Sequence, residues 1–513
     1  MMNVAPAEKE IGNGSATPIM QPVKKDVVAE LMDKLPDELA GSQRSSFREL
    51  IRKHETIFSK HEYDIGKTPL VEYRIDTGDH RPIRQPLRRH PFQHLEAIDR
   101  QVEEMRQHDI IEAAASPWAS NVVLVKKKDG SLRFCVDYRR INAITYKDSY
   151  PLPHIDNCLN ALSGSSWFTT LDLRSGYYNI PIAEQDRDKS AFVTRRGCYR
   201  YTVMPFGMTC APSVFQRLMD CVLAGLSYIT CLVYLDDIII FSRTFEEHMH
   251  RLDEVFQRIR QANLKLKPSK CSLCQRQVEF LGHIVSGSGI LMQPEKIEAI
   301  RAWPECKNVT DVRAFLGICG YYRRFIKDFS IIAAPLYEVL KKKIPFEWTD
   351  KRKQAFDVLK DRLMTEPVLA LPTDAGQYIL DTDASDRGLG AVLSERTADG
   401  DERVIAYASR TLKPPELKYE TTRKELLAIV YELKQYRQYL HGRHIVIRTD
   451  HAALSWLRRT PDPMPQLARW LTFIEEFDYE VQHREGRKHG NADGLSRRPD
   501  LNSSDVCIVE CIN

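Results

Sequence analysis

Apolar and polar positions follow different periods along the chain, and the changes of period mark its parts. Residues 28–58 carry apolar side chains at helical spacing, and residues 92–111 do so again. Residues 64–92 between them are extended and rich in Arg and Pro. Pro117-Trp118 ends the second helix. Short strands are expected at 121–126 and 132–138, with Asp129-Gly130 between them as a hairpin signal. A strand at 167–173, a hairpin across 192–204, a helix at 211–226 and a helix at 248–262 follow. Leu252, Val255, Phe256 and Ile259 share one face of that last helix. Mixed strands and helices in this order predict an α+β domain. From 294 to 364 the pattern is nearly all helical (294–303, 309–326, 331–341 and 349–364), broken at Pro304 and Pro345. After Pro367 strands return at 378–382 and 390–394. A long helix at 424–440 and a strand at 444–449 complete a second α/β domain.

Bulk properties narrow the class. The chain has 513 residues, 43% apolar and 28% charged, which suits a multidomain globular protein. No apolar run reaches the length of a membrane span, so no membrane partner is expected. The first ten residues lack the basic-then-apolar order of a secretory signal. Residues 1–28 have no period and are expected to be a flexible start. The formal charge of +4 is mild, but basic clusters recur at Lys126-Lys127-Lys128, Arg195-Arg196, Arg323-Arg324, Lys341-Lys342-Lys343 and Arg458-Arg459. Each alone reads as solvated surface; together they suit a path for a polyanion. The 12 cysteines form no regular framework, and the Cys271/Cys274 pair lacks the second pair a zinc site needs. Asp76-Thr77-Gly78 imitates an aspartic protease triplet, but His80-Arg81-Pro82 follows where an apolar strand is required.

One run carries more chemistry than any other. Asp236 and Asp237 interrupt the apolar stretch Cys231-Leu232-Val233-Tyr234 and Ile238-Ile239-Ile240-Phe241. Two adjacent carboxylates in such surroundings are costly unless a cation offsets them. The pattern predicts a hairpin with the acids near its turn. Asp172, ending the strand after Trp167-Phe168-Thr169-Thr170-Leu171, is the expected third acid, with a helix N-cap as its alternative role. If the two strands are neighbours, the three acids suit two divalent ions clamping an in-line phosphoryl displacement. Magnesium fits the oxygen donors, and manganese is the alternative.

Leu171-Asp172-Leu173-Arg174-Ser175-Gly176-Tyr177, Met204-Pro205-Phe206-Gly207-Met208 and Tyr234-Leu235-Asp236-Asp237 resemble the palm motifs of reverse transcriptases from gypsy-type LTR retrotransposons. Arg133-Phe134-Cys135-Val136-Asp137-Tyr138-Arg139 resembles that family's fingers motif, and Phe280-Leu281-Gly282-His283 its primer-gripping hairpin. The resemblance runs in family order from about residue 65 to residue 498. It implies a right-hand polymerase of fingers, palm and thumb followed by an α/β ribonuclease H-like domain. The expected parts are 1–64, an N-terminal flexible and helical segment; 65–288, fingers and palm; 289–366, a helical thumb; 367–499, the ribonuclease H-like domain; and 500–513, a tail. It also implies that Lys127 and Arg133 meet the incoming triphosphate, and that Tyr177 lies under the incoming sugar and disfavours a 2′-hydroxyl. Phe206 and Gly207 would border the nucleotide pocket; Phe280, Leu281, Gly282 and His283 would touch the primer. Plain packing is the alternative for Tyr177. Tyr321-Tyr322-Arg323-Arg324 is either a stacking and phosphate-contact element or an ordinary helix face.

The second domain has its own dispersed acids: Asp383 at a strand end, Glu425 near a helix start, Asp450 after the 444–449 strand and Asp493 beyond a Gly- and Lys-rich loop. Singly, each reads as a cap or surface residue. In this order, within Thr382-Asp383-Ala384-Ser385, Lys424-Glu425-Leu426-Leu427, Thr449-Asp450-His451 and Asn491-Ala492-Asp493, they resemble the ribonuclease H of the same retroelements. That implies two magnesium ions on these four carboxylates. His483, ten residues before Asp493, matches a histidine that some of these enzymes use; an exposed loop histidine is the alternative. The expected partners are an RNA template, a DNA primer, an RNA–DNA hybrid, deoxynucleoside triphosphates, and other Pol and Gag products. The expected location is the cytoplasm, within virus-like particles, with the nucleus as the alternative. No protease or integrase segment is evident. A processed, truncated or degenerate copy is therefore expected, and a non-catalytic nucleic-acid-binding relic is the rival reading.

Overall fold

The protein, seen in a computed structural model, is described over residues 26–126, 130, 132–341, 344–365, 368–373, 375–449 and 464–483. The 500–513 tail and residues 1–25 of the expected flexible start lie outside them; residues 26–28 open a helix, Val27–Met32, capped by Asp26.

Its centre is a four-stranded antiparallel sheet, in the order Cys231–Tyr234, Asp237–Ser242, Trp167–Asp172, Ser272–Gln275. The apolar run that defines the acidic hairpin is continuous because this sheet is covered on both sides. Ile238 and Ile240 enter one core with helices Ala211–Val222 and Phe245–Gln261. Ile239 and Phe241 enter another, shared with the helical unit that follows. A second sheet, in the order Ile111–Ala113, Gly197–Tyr201, Phe192–Thr194, Ser120–Lys126, Leu132–Val136, stands beside it as the fingers.

The expected boundary at residue 64 does not divide the packing. Helices Val27–Met32 and Gly41–Lys53 share the fingers–palm core. Lys53 Nζ and His54 Nε2 both meet Asp253 Oδ1 at 2.7 Å, on helix Phe245–Gln261. Leu266 donates its amide to Ile57 O at 2.7 Å and accepts that of Ser59 at 2.8 Å. Residues 26–59 are thus an outer layer of the palm.

The boundary at 288 falls inside a separate sheet. Strands Gln277–Phe280, His283–Ser286 and Gly289–Met292 form it, and their apolar side chains join the core that Phe168, Leu232, Ile239 and Phe241 of the palm share with the thumb helices. Helices Pro294–Arg301, Val309–Tyr321, Phe329–Val339 and Asp350–Met364 pack on it. The four expected helices are present, with ends that coincide or shift by up to five residues; the third begins at Phe329, before the expected start at 331.

The last unit has a five-stranded sheet, in the order Glu402–Thr411, Gly388–Arg396, Gln377–Ala384, His444–Thr449, Asp478–His483. The first three strands are antiparallel and the last three parallel. Helix Thr421–Gln435 covers one face through Leu426, Ile429, Val430 and Leu433. Val392 and Tyr407 join the thumb core from this sheet. The connecting chain is zipped: Leu369 exchanges both backbone hydrogen bonds with Ile290, and Ala370 donates to Val404 O at 2.8 Å. Gly289 permits this approach, since a Cβ there would lie 2.3 Å from Leu369 O.

At this seam sits a costly group. Glu432 is fully buried and neither carboxylate oxygen has a hydrogen-bond partner. Burial pushes its carboxyl up to about 8, against the weaker pull of Arg323 and Arg410. A carboxyl raised on folding binds its proton in the native state before the unfolded chain does. The stability it supports is therefore present at low pH and lost as pH rises from the unfolded value toward about 8. Glu432→Gln should raise the unfolding free energy by on the order of 1–3 kcal/mol above pH 8 and by little at pH 5, read by thermal denaturation at both. Equal effects at the two pH values would refute this origin.

Candidate active sites

The three acids of the first constellation meet at one sheet edge. Asp172 is the last residue of its strand and the direct cross-strand partner of Asp237, the first residue of the neighbouring strand. Residues opposed in this way hold their Cβ atoms about 4.5–5.5 Å apart. Tyr234 pairs with Asp237 to close the hairpin, leaving Leu235 and Asp236 as a two-residue turn. Leu235 takes a positive φ of 56°, which a side chain tolerates poorly and which the short turn demands. Asp237 is exposed, yet its carboxyl is held above the usual range, first by lost hydration and then by the charges of Asp236 and Asp172. Asp172 does not act as a side-chain helix cap; its Oδ2 accepts a hydrogen bond from Lys270 Nζ at 2.9 Å.

Lys270 is a site residue that sequence reasoning missed. It lies in the one-turn segment Pro268–Lys270, anchored where Lys267 N donates to Asp172 O at 2.9 Å. Its attraction lowers the Asp237 carboxyl against the two repelling acids. With Lys270 on Asp172, no group of three or more acids, histidines or cysteines among the described residues closes into a cation cage.

A pocket wall borders this edge. The Tyr177 ring lies 5.0 Å from Phe206 and 5.4 Å from Phe215. Its hydroxyl is pushed up to about 12, first by burial and then by the charge of Asp236. Phe206 is exposed. Gly207 has φ 92°, and its carbonyl accepts from Asn142 Nδ2 at 2.8 Å while Asn142 Oδ1 accepts from Thr209 N at 3.0 Å. Asn142, also missed, therefore fixes the loop that presents Phe206. Arg133 is exposed on the fingers hairpin opposite Val125. Lys127 lies outside the described residues.

The expected primer contacts divide. Phe280 and His283 are register partners whose side chains point into the thumb core and are buried, so neither is offered to a nucleic-acid strand. His283 Nδ1 donates to Leu281 O at 2.8 Å, and burial pushes its imidazole down to about 4. Leu281 and Gly282 form the turn and remain the surface of this hairpin. The Tyr321 hydroxyl donates to Leu281 O at 2.6 Å and the Tyr322 hydroxyl to Gly282 O at 2.8 Å. Arg323 and Arg324 reach the carbonyls of Ser409 and Ile405 across the seam. The two arginines thus tie the thumb to the last unit and Tyr322 is buried, while Tyr321 holds the 280–283 turn and keeps an exposed ring.

In the second domain, Asp383 lies exposed on the Gln377–Ala384 strand. Glu425 is buried on the Thr421–Gln435 helix, and its Oε1 accepts the amide of Ala384 at 3.2 Å, beside Asp383. His444–Thr449 runs parallel next to Asp383's strand, and Asp478–His483 parallel next to that. Asp383 and His483 therefore occupy the same end of the sheet, where ligands collect in α/β sheets. His483 is exposed. Asp450 and Asp493 lie outside the described residues.

Comparison with known proteins agrees with this layout. The family described as reverse transcriptase (RNA-dependent DNA polymerase) matches residues 125–285, and the RNase H-like domain found in reverse transcriptase matches residues 374–477. The chain is 37% identical to the retrovirus-related Pol polyprotein from transposon 297 of Drosophila melanogaster over 91% of its length and 46% of that protein's. It is 36% identical to the Pol polyprotein from transposon gypsy of the same fly, over 89% of this chain and 46% of the relative. It is also 36% identical to the transposon Tf2-3 polyprotein of Schizosaccharomyces pombe, over 81% of this chain and 32% of the relative. The chain thus spans about half or less of the length of the curated relatives it matches. In fold it is similar to the foamy viral protease-reverse transcriptase in complex with dsDNA, with TM-score 0.80 and 20% identity over 93% of this chain and 99% of that one. The same viral protein in complex with RNA/DNA hybrid gives TM-score 0.74 and 20% identity, over 96% of this chain and 66% of that one.

Proposed function

Because the chain belongs to the Pol family of LTR retrotransposons, over the reverse transcriptase and ribonuclease H-like segments, we propose that it copies RNA into DNA and cuts the RNA strand of the resulting hybrid. The observation that carries the reading is the register that sets Asp172 opposite Asp237 with Asp236 in the adjoining turn. Three carboxylates at one exposed sheet edge, one of them raised by the others, fit divalent cations. Bound there, magnesium would activate the primer hydroxyl and neutralise the departing pyrophosphate. Asp172, Asp236 and Asp237 would hold it, with Lys270 released from Asp172. Asp383 and Glu425, with Asp450 and Asp493, would hold the ions of the second site.

The chain's own residues set the substrate. Arg133 would meet the triphosphate as a fixed cation, joined by Lys127. Tyr177 and Phe206 would form the wall under the sugar. RNA in the hybrid would be told from DNA by its 2′-hydroxyls and groove shape, so cutting should be largely indifferent to sequence. An RNA template, a DNA primer and deoxynucleoside triphosphates are the proposed partners of the first site, and the hybrid that of the second.

Extension of oligo(dT) on poly(rA) with magnesium tests the polymerase reading. Incorporation of dTTP is expected; a chain that binds the template and adds nothing would be a relic. The wall gives a sharper result. Tyr177→Ala should raise ribonucleotide use relative to deoxynucleotide use by about tenfold or more in kcat/KM, because the side chain that excludes the 2′-hydroxyl is gone. Unchanged selectivity would leave Tyr177 with packing alone.

A further inference from the structure

We propose that Gln216 is the positioning residue of the acidic hairpin, a role that rests on the polymerase reading above. The Cys231–Tyr234 strand is the outer strand of its sheet, so alternate backbone groups on its free side have no strand to pair with. At the acidic end those groups are Val233 O and Leu235 N–H. One side chain satisfies both: Gln216 Nε2 donates to Val233 O at 3.2 Å, and its Oε1 accepts from Leu235 N at 2.9 Å. Gln216 lies in the middle of helix Ala211–Val222 and is fully buried.

Its amide has one acceptor and two donors, and the surroundings use them in a single orientation. The second Nε2 hydrogen goes to Asp220 Oδ1 at 3.1 Å. A flipped amide would set oxygen against the Val233 carbonyl and the Asp220 carboxylate, and nitrogen against the Leu235 N–H. Three mismatches forbid the flip. Asp220 is itself held, since its Oδ2 accepts from the Tyr150 hydroxyl at 2.6 Å. The chain Tyr150–Asp220–Gln216 therefore ends on the amide of Leu235, the residue with φ 56° that sets the direction in which Asp236 leaves the turn. Its side-chain hydrogen bonds go to Asp220, Val233 and Leu235 and to none of the three acids. It acts by holding the strained turn between Tyr234 and Asp237 in one conformation.

A clamp of three carboxylates on two cations is sensitive to such placement, because a displacement of about 1 Å at reacting groups costs on the order of 100-fold. Gln216→Leu keeps the volume and removes all three hydrogen bonds; Gln216→Asn keeps the amide but shortens its reach. Both would be compared with the natural chain by steady-state primer extension, and by hydrogen–deuterium exchange of the 231–241 hairpin with the 421–435 helix as reference. The expected result for Gln216→Leu is a kcat lower by roughly 30-fold, a deoxynucleotide KM within about threefold, and faster exchange in the hairpin only. A kcat within about twofold of the natural chain, or hairpin exchange that does not change, would overturn the proposal. If Gln216→Leu does not fold, Gln216→Asn is judged by the same criteria. If neither folds, Gln216 is a folding residue and the proposal is wrong. If the natural chain itself extends no primer, the polymerase reading fails, and the exchange comparison decides alone whether Gln216 orders the turn.

Discussion

Asp236→Asn should abolish DNA synthesis, lowering kcat by on the order of 1,000-fold or more, or about 4 kcal/mol of transition-state stabilisation. Asparagine has the shape of aspartate but not its charge, and a clamp on two cations depends on charge. The same change removes one of the two acids that push the Asp237 carboxyl up. The variant should therefore melt at the same temperature as the natural chain or slightly above it at neutral pH. Loss of activity without loss of stability separates a broken site from a broken fold. RNA cleavage should persist, because Asp383 and Glu425 lie on a strand and a helix of a different unit with its own core. A variant that still extends primers at a tenth or more of the natural rate would remove Asp236 from the mechanism.

The reverse result is expected of Asp383→Asn. Cleavage of the RNA strand in a labelled hybrid should fall by on the order of 1,000-fold, while primer extension stays within about twofold. The argument is geometric. Asp383 is exposed at the strand end, and Glu425 is fixed one residue away through the Ala384 amide. That bond ties the strand bearing Asp383 to the helix bearing Glu425. Retained cleavage would reject Asp383 as a ligand. Loss of synthesis together with cleavage would mean that the seam through Leu369, Ser409 and Glu432 makes the two sites interdependent.

The residues also explain which parts of this layout were legible in the chain. The acidic hairpin was, because a strand covered on both faces spells an unbroken apolar run, and two acids can stand in such a run only at its turn. Asp172 was legible for the same reason at the end of a neighbouring run. Gln216 was not: in helix Ala211–Val222, beside Arg217 and near Asp220, it reads as one more solvent position, and only the sheet order reveals that it faces an unpaired strand edge. Lys270 was hidden in a short Pro-Ser-Lys turn that looks like surface. Asp478–His483 is largely exposed and carries no apolar signal of a buried strand, whereas Glu402–Thr411 opens on charged residues but does carry an apolar run, Val404 to Ala408, that the sequence reading passed over. Helix Pro465–Ile474 is likewise short, and it follows a break that masks its period. The limits at 64 and 288 fall within continuous packing, since residues 26–59 share the core of the fingers and palm and strands 277–292 share one with both palm and thumb, through contacts distant in sequence.

The most direct test of the central claim is the position of manganese in a complex of the chain with template–primer and an unreactive deoxynucleotide, read by anomalous scattering. The account predicts metal peaks about 2.0–2.3 Å from carboxylate oxygens of the Asp172, Asp236 and Asp237 cluster, with Lys270 no longer bonded to Asp172. A correctly bound primer terminus with no metal at these carboxylates, and Lys270 still on Asp172, would contradict it.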